Sequence, residues 1–152
     1  MIKRATHLVF LFILPFQVWA SYDIENAYPE PKLKPNDVVR LQLLAMQQND
    51  DSDFGIEVTF RFASPSNKIQ TGPLKRFIRL VRNPSYRPLL NHINATFLEL
   101  TVEEVFAIQD VIITTYNGER IGYRFRLSIQ KGPLYLGCWM TDSVTPFKVL
   151  EV

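Results

Sequence analysis

Asp110 is the residue of this sequence whose setting most favours chemistry. It stands in the apolar run Val105–Tyr116, which has the composition of a buried strand. A carboxyl group that is buried, dry and unpaired has a raised pKa and can act as a general acid or base near neutral pH. Two structural roles fit the same position. A β-bulge can turn Asp110 outward, or a backbone donor can make it a structural residue.

His92 and two tyrosines are the side chains that can assist such an acid. His92 and Asp110 are the candidate catalytic pair, although nothing in the sequence brings them together and a lone histidine is often an ordinary loop residue. Tyr86 and Tyr123 can supply hydroxyl groups to a pocket. They can equally fill the edge of a core with the hydroxyl group in water.

The register of one hairpin decides where Asp110 points. Asn117-Gly118 predicts a two-residue turn, and such a turn sets Asp110 opposite Phe125. The predicted core face then carries Ile108, Asp110, Ile112, Thr114, Ile121, Tyr123, Phe125 and Leu127. The other face, predicted to meet solvent or a partner, carries Gln109, Val111, Ile113, Arg120, Arg124 and Arg126. The candidate ligand pocket is therefore lined by Asp110, Tyr123, Phe125 and Tyr86.

The cysteine and histidine content argues against a metal site. Cys138 is the only cysteine, so no internal disulfide can form, and a structural zinc site wants four ligands of the Cys and His type. We predict no metal and no cofactor. Cys138 can be a reactive thiol only in an electropositive, accessible setting. Asn94-Ala95-Thr96 fits a glycosylation acceptor.

Residues 1–20 have the features of a secretory signal peptide. A basic start precedes the apolar run Leu8–Leu14, and Ala20 closes a small-x-small-like end. A membrane anchor needs about 20 apolar residues, and Pro15 and Gln17 interrupt this run. We therefore predict an exported protein, periplasmic or secreted, with no stable membrane anchor after cleavage.

The charge balance argues against nucleic acid as a partner. The chain has 17 basic and 15 acidic residues, and removal of Lys3 and Arg4 with the signal peptide leaves 15 of each. A formally neutral protein lacks the bulk attraction for phosphate backbones. A local basic cluster remains as a candidate site for phosphate, acidic lipid or an acidic partner, or as a solvated helix face. Its members are Lys75, Arg76, Arg79, Arg82 and Arg87.

The apolar periodicity predicts three helices before the strands. The first begins at Asn36 and is apolar over so wide an arc that it must be mostly buried. The second is anchored by Phe54, Val58 and Phe62, and the third follows Pro73. Residues 63–72 are interpreted as a structural joint, with an anion site at the next helix N-terminus as the alternative.

Four strands are predicted after the helices, in meander order. This pattern gives an α+β domain with the helices packed on one face of an antiparallel sheet. The domain is assigned to residues 36–146, after an extended leader at 21–35 and before a C-terminal tail at 147–152. The predicted strands are Thr96–Val102, Val105–Tyr116, Glu119–Gln130 and Tyr135–Ser143.

Several short motifs together resemble one family of proteins. They are Phe62-Ala63-Ser64-Pro65, Thr71-Gly72-Pro73-Leu74, Arg76-Phe77-Ile78, Tyr86-Arg87-Pro88-Leu89 and Gly137-Cys138-Trp139-Met140-Thr141-Asp142. As a set they resemble the domain of unknown function 4864, over about residues 37–144. That family is similar in layout to the nuclear transport factor 2-like (SnoaL-like, cystatin-like) proteins. The resemblance implies a cone of three helices on a curved four-stranded sheet, and it implies no catalytic residues.

Two functions fit these observations. The first is a non-catalytic module that binds a small apolar ligand or a protein partner, and Val111 with Ile113 on the predicted outer face suggests a homodimer through the sheet. The second is a small pocket enzyme of isomerase, dehydratase or hydrolase type with Asp110 as general acid or base. The second requires Asp110 to face a cavity. The fold itself does not choose between them.

Overall fold

A computed structural model describes residues 23–150 of the chain, so the predicted signal peptide lies outside the described residues. Helices come first and strands second, which confirms the α+β class. The α-helices are α1 Pro35–Gln47, α2 Phe54–Arg61, α3 Pro65–Thr71 and α4 Leu74–Val81. The strands are β1 Asn94–Glu103, β2 Phe106–Thr114, β3 Arg120–Ile129 and β4 Trp139–Lys148, with short 3₁₀ helices at Arg87–Leu89 and Pro133–Tyr135.

Helix α1 is the central helix of the core. Pro35 suits its first position because proline fixes φ near the helical value, and the Asp37 carboxylate accepts a hydrogen bond of 2.9 Å from the Lys34 backbone N–H. The wide apolar arc is buried as predicted. The buried residues are Pro35, Val38, Val39, Leu41, Gln42, Leu43, Ala45 and Met46.

Helix α2 packs closely against α1, with the backbone of Gly55 against the backbone of Ala45. A Cβ atom on Gly55 would overlap the Ala45 carbonyl oxygen, so only glycine allows this approach. Beyond that contact, Val58 and Phe62 are fully buried. Their four-residue spacing, with Phe54 before them, was sufficient to predict this helix.

The segment interpreted as a joint contains a helix of its own, so the prediction of three helices is wrong. Pro65 follows the end of α2 and occupies the first position of α3, a site where its missing N–H costs nothing. The Ser64 hydroxyl oxygen caps α3 by accepting a hydrogen bond of 3.2 Å from the Asn67 N–H. Ser64-Pro65 therefore ends one helix and starts the next.

Helix α4 lies across α2 with the predicted side toward the core. Phe77 and Val81 are buried, and the Phe77 ring lies 4.9 Å from the Phe60 ring, centroid to centroid. The 3.6-residue period of its apolar positions located this helix correctly.

The strands form one open antiparallel sheet in the order β1-β2-β3-β4, which confirms the predicted meander. On β3, Tyr123, Phe125 and Leu127 are buried against the helices as predicted. A register shift between Phe97 and Leu100 makes β1 irregular. The buried Gln109 side chain lies opposite this irregularity and donates a hydrogen bond of 2.8 Å to the Leu98 carbonyl oxygen.

The β2–β3 register differs from the prediction by one residue. The loop has three residues, Tyr116 to Gly118, because Thr115 and Glu119 still pair through the backbone at 2.9 Å. A three-residue loop of this kind ends in a left-handed residue, here Gly118 at φ 85°. A slip of one residue moves every side chain of one strand to the other face. Asp110 consequently lies opposite Arg124.

This slip corrects the predicted faces of β2. Val111 and Ile113 are fully buried, so they make no outer surface for a homodimer, and Gln109 is buried with them. Ile108, Asp110, Ile112 and Thr114 point away from the core because strand side chains alternate. The error is confined to β2.

The described part of the predicted leader touches the core. Ala27 is buried, and Arg61 donates 3.0 Å to the Glu25 carbonyl oxygen. Ala27 therefore belongs to the core although it lies in the predicted leader. Among residues 23–150, no helix is long and apolar enough to cross a membrane.

Gly118→Ala is expected to cost about 1 kcal/mol of stability, because a Cβ atom is strained at positive φ. Gly132→Ala is the matched control: a Cβ atom at either site meets nothing within 4 Å, but Gly132 has φ −72°. The control should be neutral or slightly stabilising. Urea denaturation of both variants measures the difference, and equal effects would contradict the three-residue loop.

Candidate functional site

A cavity of about 180 Å³ lies between the helices and strand β4. Its apolar wall is formed by Met46, Ala63, Phe77, Leu80, Val81, Leu89, Phe125 and Val144. Its polar lining is formed by Gln42, Thr59, Asn67, Gln70, Thr71, Tyr86, Thr141, Asp142 and Ser143. Apolar walls with a few convergent polar groups are typical of small-ligand sites.

Three buried polar residues of the lining, Gln42, Thr59 and Thr141, form hydrogen bonds with one another. The buried Gln42 amide donates 3.1 Å to the Thr59 carbonyl oxygen, and its oxygen accepts 2.7 Å from the Thr141 hydroxyl group. The Thr59 hydroxyl group in turn donates 3.2 Å to the Gln42 carbonyl oxygen. Within residues 23–150, every buried side-chain nitrogen and oxygen has a hydrogen-bond partner. These groups are therefore rigid and already paired.

Thr141 joins strand β4 to the chain between α2 and α3. Its N–H donates 2.9 Å to the Phe62 carbonyl oxygen, and its own carbonyl oxygen accepts 2.8 Å from the Ser64 N–H. The same carbonyl oxygen accepts 3.0 Å from the Asn67 side-chain amide. The helices and the sheet thus meet along one edge of the cavity through hydrogen bonds.

A β-bulge sets the next residue, Asp142. Leu127 pairs with Thr141 and Arg126 pairs with Ser143, so Asp142 is the extra residue of β4. Bulges of this kind re-aim a side chain. Asp142 lines the cavity and is half-buried, and its carboxylate makes no hydrogen bond or ion pair with any of residues 23–150. It is the lining residue with an unused carboxylate.

Tyr86 and Phe125 are the predicted pocket residues that do line the cavity. The Tyr86 hydroxyl group donates 3.0 Å to the Val144 carbonyl oxygen. Tyr123 lies behind Tyr86, with ring centroids 6.5 Å apart, and donates 2.8 Å to the Ser85 carbonyl oxygen. Burial, assisted by the charge of Glu119, raises the pKa of Tyr123 above its usual value. Tyr123 therefore stays a neutral structural donor.

Asp110 does not line the cavity, and its placement on the core face was wrong because of the hairpin register. It lies on the outer face, where Arg124 binds it in a bidentate pair at 2.8 and 2.7 Å. Hydrogen bonding and charge from Asp110 raise the pKa of the Arg124 guanidinium. An outward carboxylate was one of the alternatives that the sequence left open.

His92 is buried and is not paired with Asp110. Its Nδ1 lies 2.8 Å from the Leu89 carbonyl oxygen, which can only accept, so Nδ1 carries the proton. Burial lowers the pKa of His92, while the hydrogen bond to Leu89 opposes this. His92 is a neutral core histidine between the 3₁₀ turn and β1, and the candidate catalytic pair does not form.

The remaining candidates stand apart from the cavity. Cys138 is buried, and burial, with the charge of Glu30, raises the pKa of its thiol. Of the predicted basic cluster, Arg82 forms an ion pair with Asp53. Asn94 is exposed, and its amide donates 3.2 Å to the Thr96 hydroxyl group. Within residues 23–150, no group of three His, Cys, Asp or Glu is placed to hold a metal ion.

The family described as domain of unknown function (DUF4864) matches residues 30–148. The chain belongs to this family. No curated protein and no solved structure matches the chain significantly. Two of the sequence motifs that carried the resemblance to DUF4864 meet in space, because Phe62 and Ser64 bond to Thr141.

Sequence reasoning missed Gln42, Asn67 and Asp142 as site residues. Gln42 gave a usable signal, since a glutamine on a helix predicted to be buried needs partners. Asp142 lies in a DUF4864 motif, but its bulge has no sequence signature. Asn67 lies in the segment that was interpreted as a joint. The places of Asn67 and Asp142 in the site follow only from the long-range contacts of β4.

Thr141→Val is expected to destabilise the protein by about 1–3 kcal/mol, because it keeps the shape but leaves the buried Gln42 oxygen without a donor. Thr145→Val is the matched control on the same strand, since Thr145 is exposed and should tolerate the change within about 0.5 kcal/mol. Chemical denaturation of both variants measures the costs. Equal costs would show that the Gln42–Thr141 bond does not matter.

His92 is expected to make stability fall with acid. Its folded pKa lies below the ordinary value of 6.5, so the unfolded chain binds a proton that the folded chain does not. The contribution is complete above pH 6.5 and is lost as the pH falls through 6.5 toward the folded pKa, with a slope of at most about 1.4 kcal/mol per pH unit.

Urea denaturation at pH 7, 6 and 5 measures this slope. His92→Asn is the comparison variant, because its amide can still donate to the Leu89 carbonyl oxygen but does not titrate. The variant should lose less stability between pH 7 and 5 than the unchanged protein. An identical pH dependence in both would mean that the pKa of His92 does not change on folding.

Proposed function

We propose that this protein is a non-catalytic module that binds a small, mostly apolar molecule in the cavity between the helices and β4. The observation that carries the proposal is the lining, in which an apolar wall faces a set of polar groups held in place by one another. Sites for drug-sized ligands have volumes of roughly 300–1,000 Å³. A cavity of about 180 Å³ suits a smaller molecule.

The chemistry of the lining favours binding over catalysis. Among residues 23–150, no histidine, cysteine, lysine or arginine lines this cavity, and the Tyr86 hydroxyl group is committed to a backbone carbonyl oxygen. Asp142 is the acid of the lining and has no hydrogen-bonding partner among these residues, whereas a general acid or base needs a partner or a shifted pKa to work near neutral pH. The one acid that the sequence favoured, Asp110, lies on the other face in an ion pair.

The fold and the compartment belong to the same proposal. Helices packed on one face of an antiparallel four-stranded sheet, with a cavity between the layers, support a nuclear transport factor 2-like cone for the DUF4864 family. The features of residues 1–20 support export to the periplasm or the medium. We infer an exported binding protein that meets its ligand outside the cytoplasm.

Filling the cavity tests the proposal. Leu80 lines the cavity and is half-buried, so Leu80→Trp should occupy the ligand space without entering the core. Leu134→Trp is the matched control, since Leu134 is 79% exposed and lies outside this cavity. The probe is hexan-1-ol, which joins a six-carbon chain to one hydroxyl group.

We expect hexan-1-ol to bind the unchanged protein and Leu134→Trp at about millimolar concentration, with saturating shifts of the Met46 methyl signal in NMR spectra. Leu80→Trp should show at least a tenfold loss. Native mass spectrometry of the protein from its own host should also show a retained small molecule. Unsaturable shifts that are equal in all three proteins would contradict the proposal.

A further inference from the structure

Asp142 is the charged residue among those that line the cavity, and its carboxylate is unpaired. It makes no hydrogen bond or ion pair with residues 23–150, and no lysine or arginine lines the cavity to neutralise it. The buried polar residues of the lining, Gln42, Thr59 and Thr141, are hydrogen-bonded to one another. A half-buried carboxylate beside an apolar wall is a strong acceptor without a donor.

The strand fixes the backbone from which the Asp142 side chain extends. Asp142 is the extra residue of the bulge in β4, between Thr141, which is fixed to α2 and α3, and Ser143, which pairs with Arg126. The Cα and Cβ positions of Asp142 are therefore set by the strand, while its side-chain torsions can adjust to a ligand. A residue on such a backbone can bind without the cost of ordering a loop.

We propose that the ligand of this cavity carries a protonated amine that binds Asp142, and that its apolar part lies against Phe77, Leu80 and Val81. This inference rests on the proposed binding function and names the chemical class of the ligand. A carboxylate or phosphate ligand would meet the charge of Asp142 with no cation in the lining to offset it. A neutral alcohol can donate to the same oxygen atoms but lacks the opposite charge, so it forms the weaker interaction.

Three probes with the same six-carbon chain separate the possibilities: hexylamine, hexan-1-ol and hexanoate. Their dissociation constants are measured at pH 7 by NMR titration of the backbone amides of residues 141–144. We expect hexylamine to bind about tenfold more tightly than hexan-1-ol, and hexanoate to bind more weakly than either. The preference for the amine should shrink with added salt, because Asp142 is only half-buried.

Asp142→Asn keeps the size of the side chain and removes the charge, so it should abolish the preference for hexylamine by lowering hexylamine affinity much more than hexan-1-ol affinity. Asp51→Asn is the matched control, because Asp51 is exposed, lies outside the lining, and its change removes the same unit of charge. It should keep the preference. Unfolding curves confirm that both variants are folded.

The outcomes separate the two proposals. Equal binding of amine and alcohol, or an amine preference that survives in Asp142→Asn, overturns the assignment of an amine and leaves the binding function standing. Binding of none of the three probes overturns the binding function as well. An amine preference that is lost in Asp142→Asn and kept in Asp51→Asn supports both.

Discussion

The rest of the structure depends on the way Thr141 docks strand β4 onto the helices. Its backbone N–H and carbonyl groups bond to Phe62 and Ser64, and its hydroxyl group bonds to Gln42 on α1. β4 is an edge strand, and an exposed edge invites pairing with other chains. The contact covers part of that edge with the protein's own backbone. It also accounts for the cavity beside it, because directional bonds fix the layers at this edge without filling the space next to them.

The sequence predicted the elements well and their register less well. Helices α1, α2 and α4 were located by periodicity, because burial of an apolar face is a property that each segment shows alone. The sequence pair Asn117-Gly118 is compatible with both a two-residue and a three-residue loop. The longer loop is stabilised by local bonds, among them the Glu119 N–H donating 3.1 Å to the Thr115 hydroxyl oxygen. Because the loop is one residue longer than predicted, Asp110 lies on the outer face in an ion pair with Arg124 and is not an acid of the pocket.

The site was predictable only in its aromatic part. Tyr86 and Phe125 were named from the sequence and line the cavity, since the alternation of β3 and the aromatic character of Tyr86 are local signals. The polar part is assembled from residues far apart in the chain, such as Gln42 and Thr141. No period or motif reports such contacts, and the bulge at Asp142 is a consequence of pairing between β3 and β4. The residues that define the chemistry of the cavity are therefore those that the sequence could least reveal.

Two adjacent residues of β4 have different roles: Thr141 stabilises the fold, and Asp142 is the proposed ligand contact. Thr141 uses both backbone groups and its hydroxyl group in folding, whereas the Asp142 carboxylate forms no hydrogen bond or ion pair with residues 23–150. A half-buried charge without a partner does not stabilise the folded state, and its place beside an apolar cavity supports the proposed ligand. Because Thr141 already fixes the strand, binding at Asp142 would require little rearrangement of the backbone. Under the proposed binding function, the cavity would therefore select its ligand by charge and size, with a shape that is the same before and after binding.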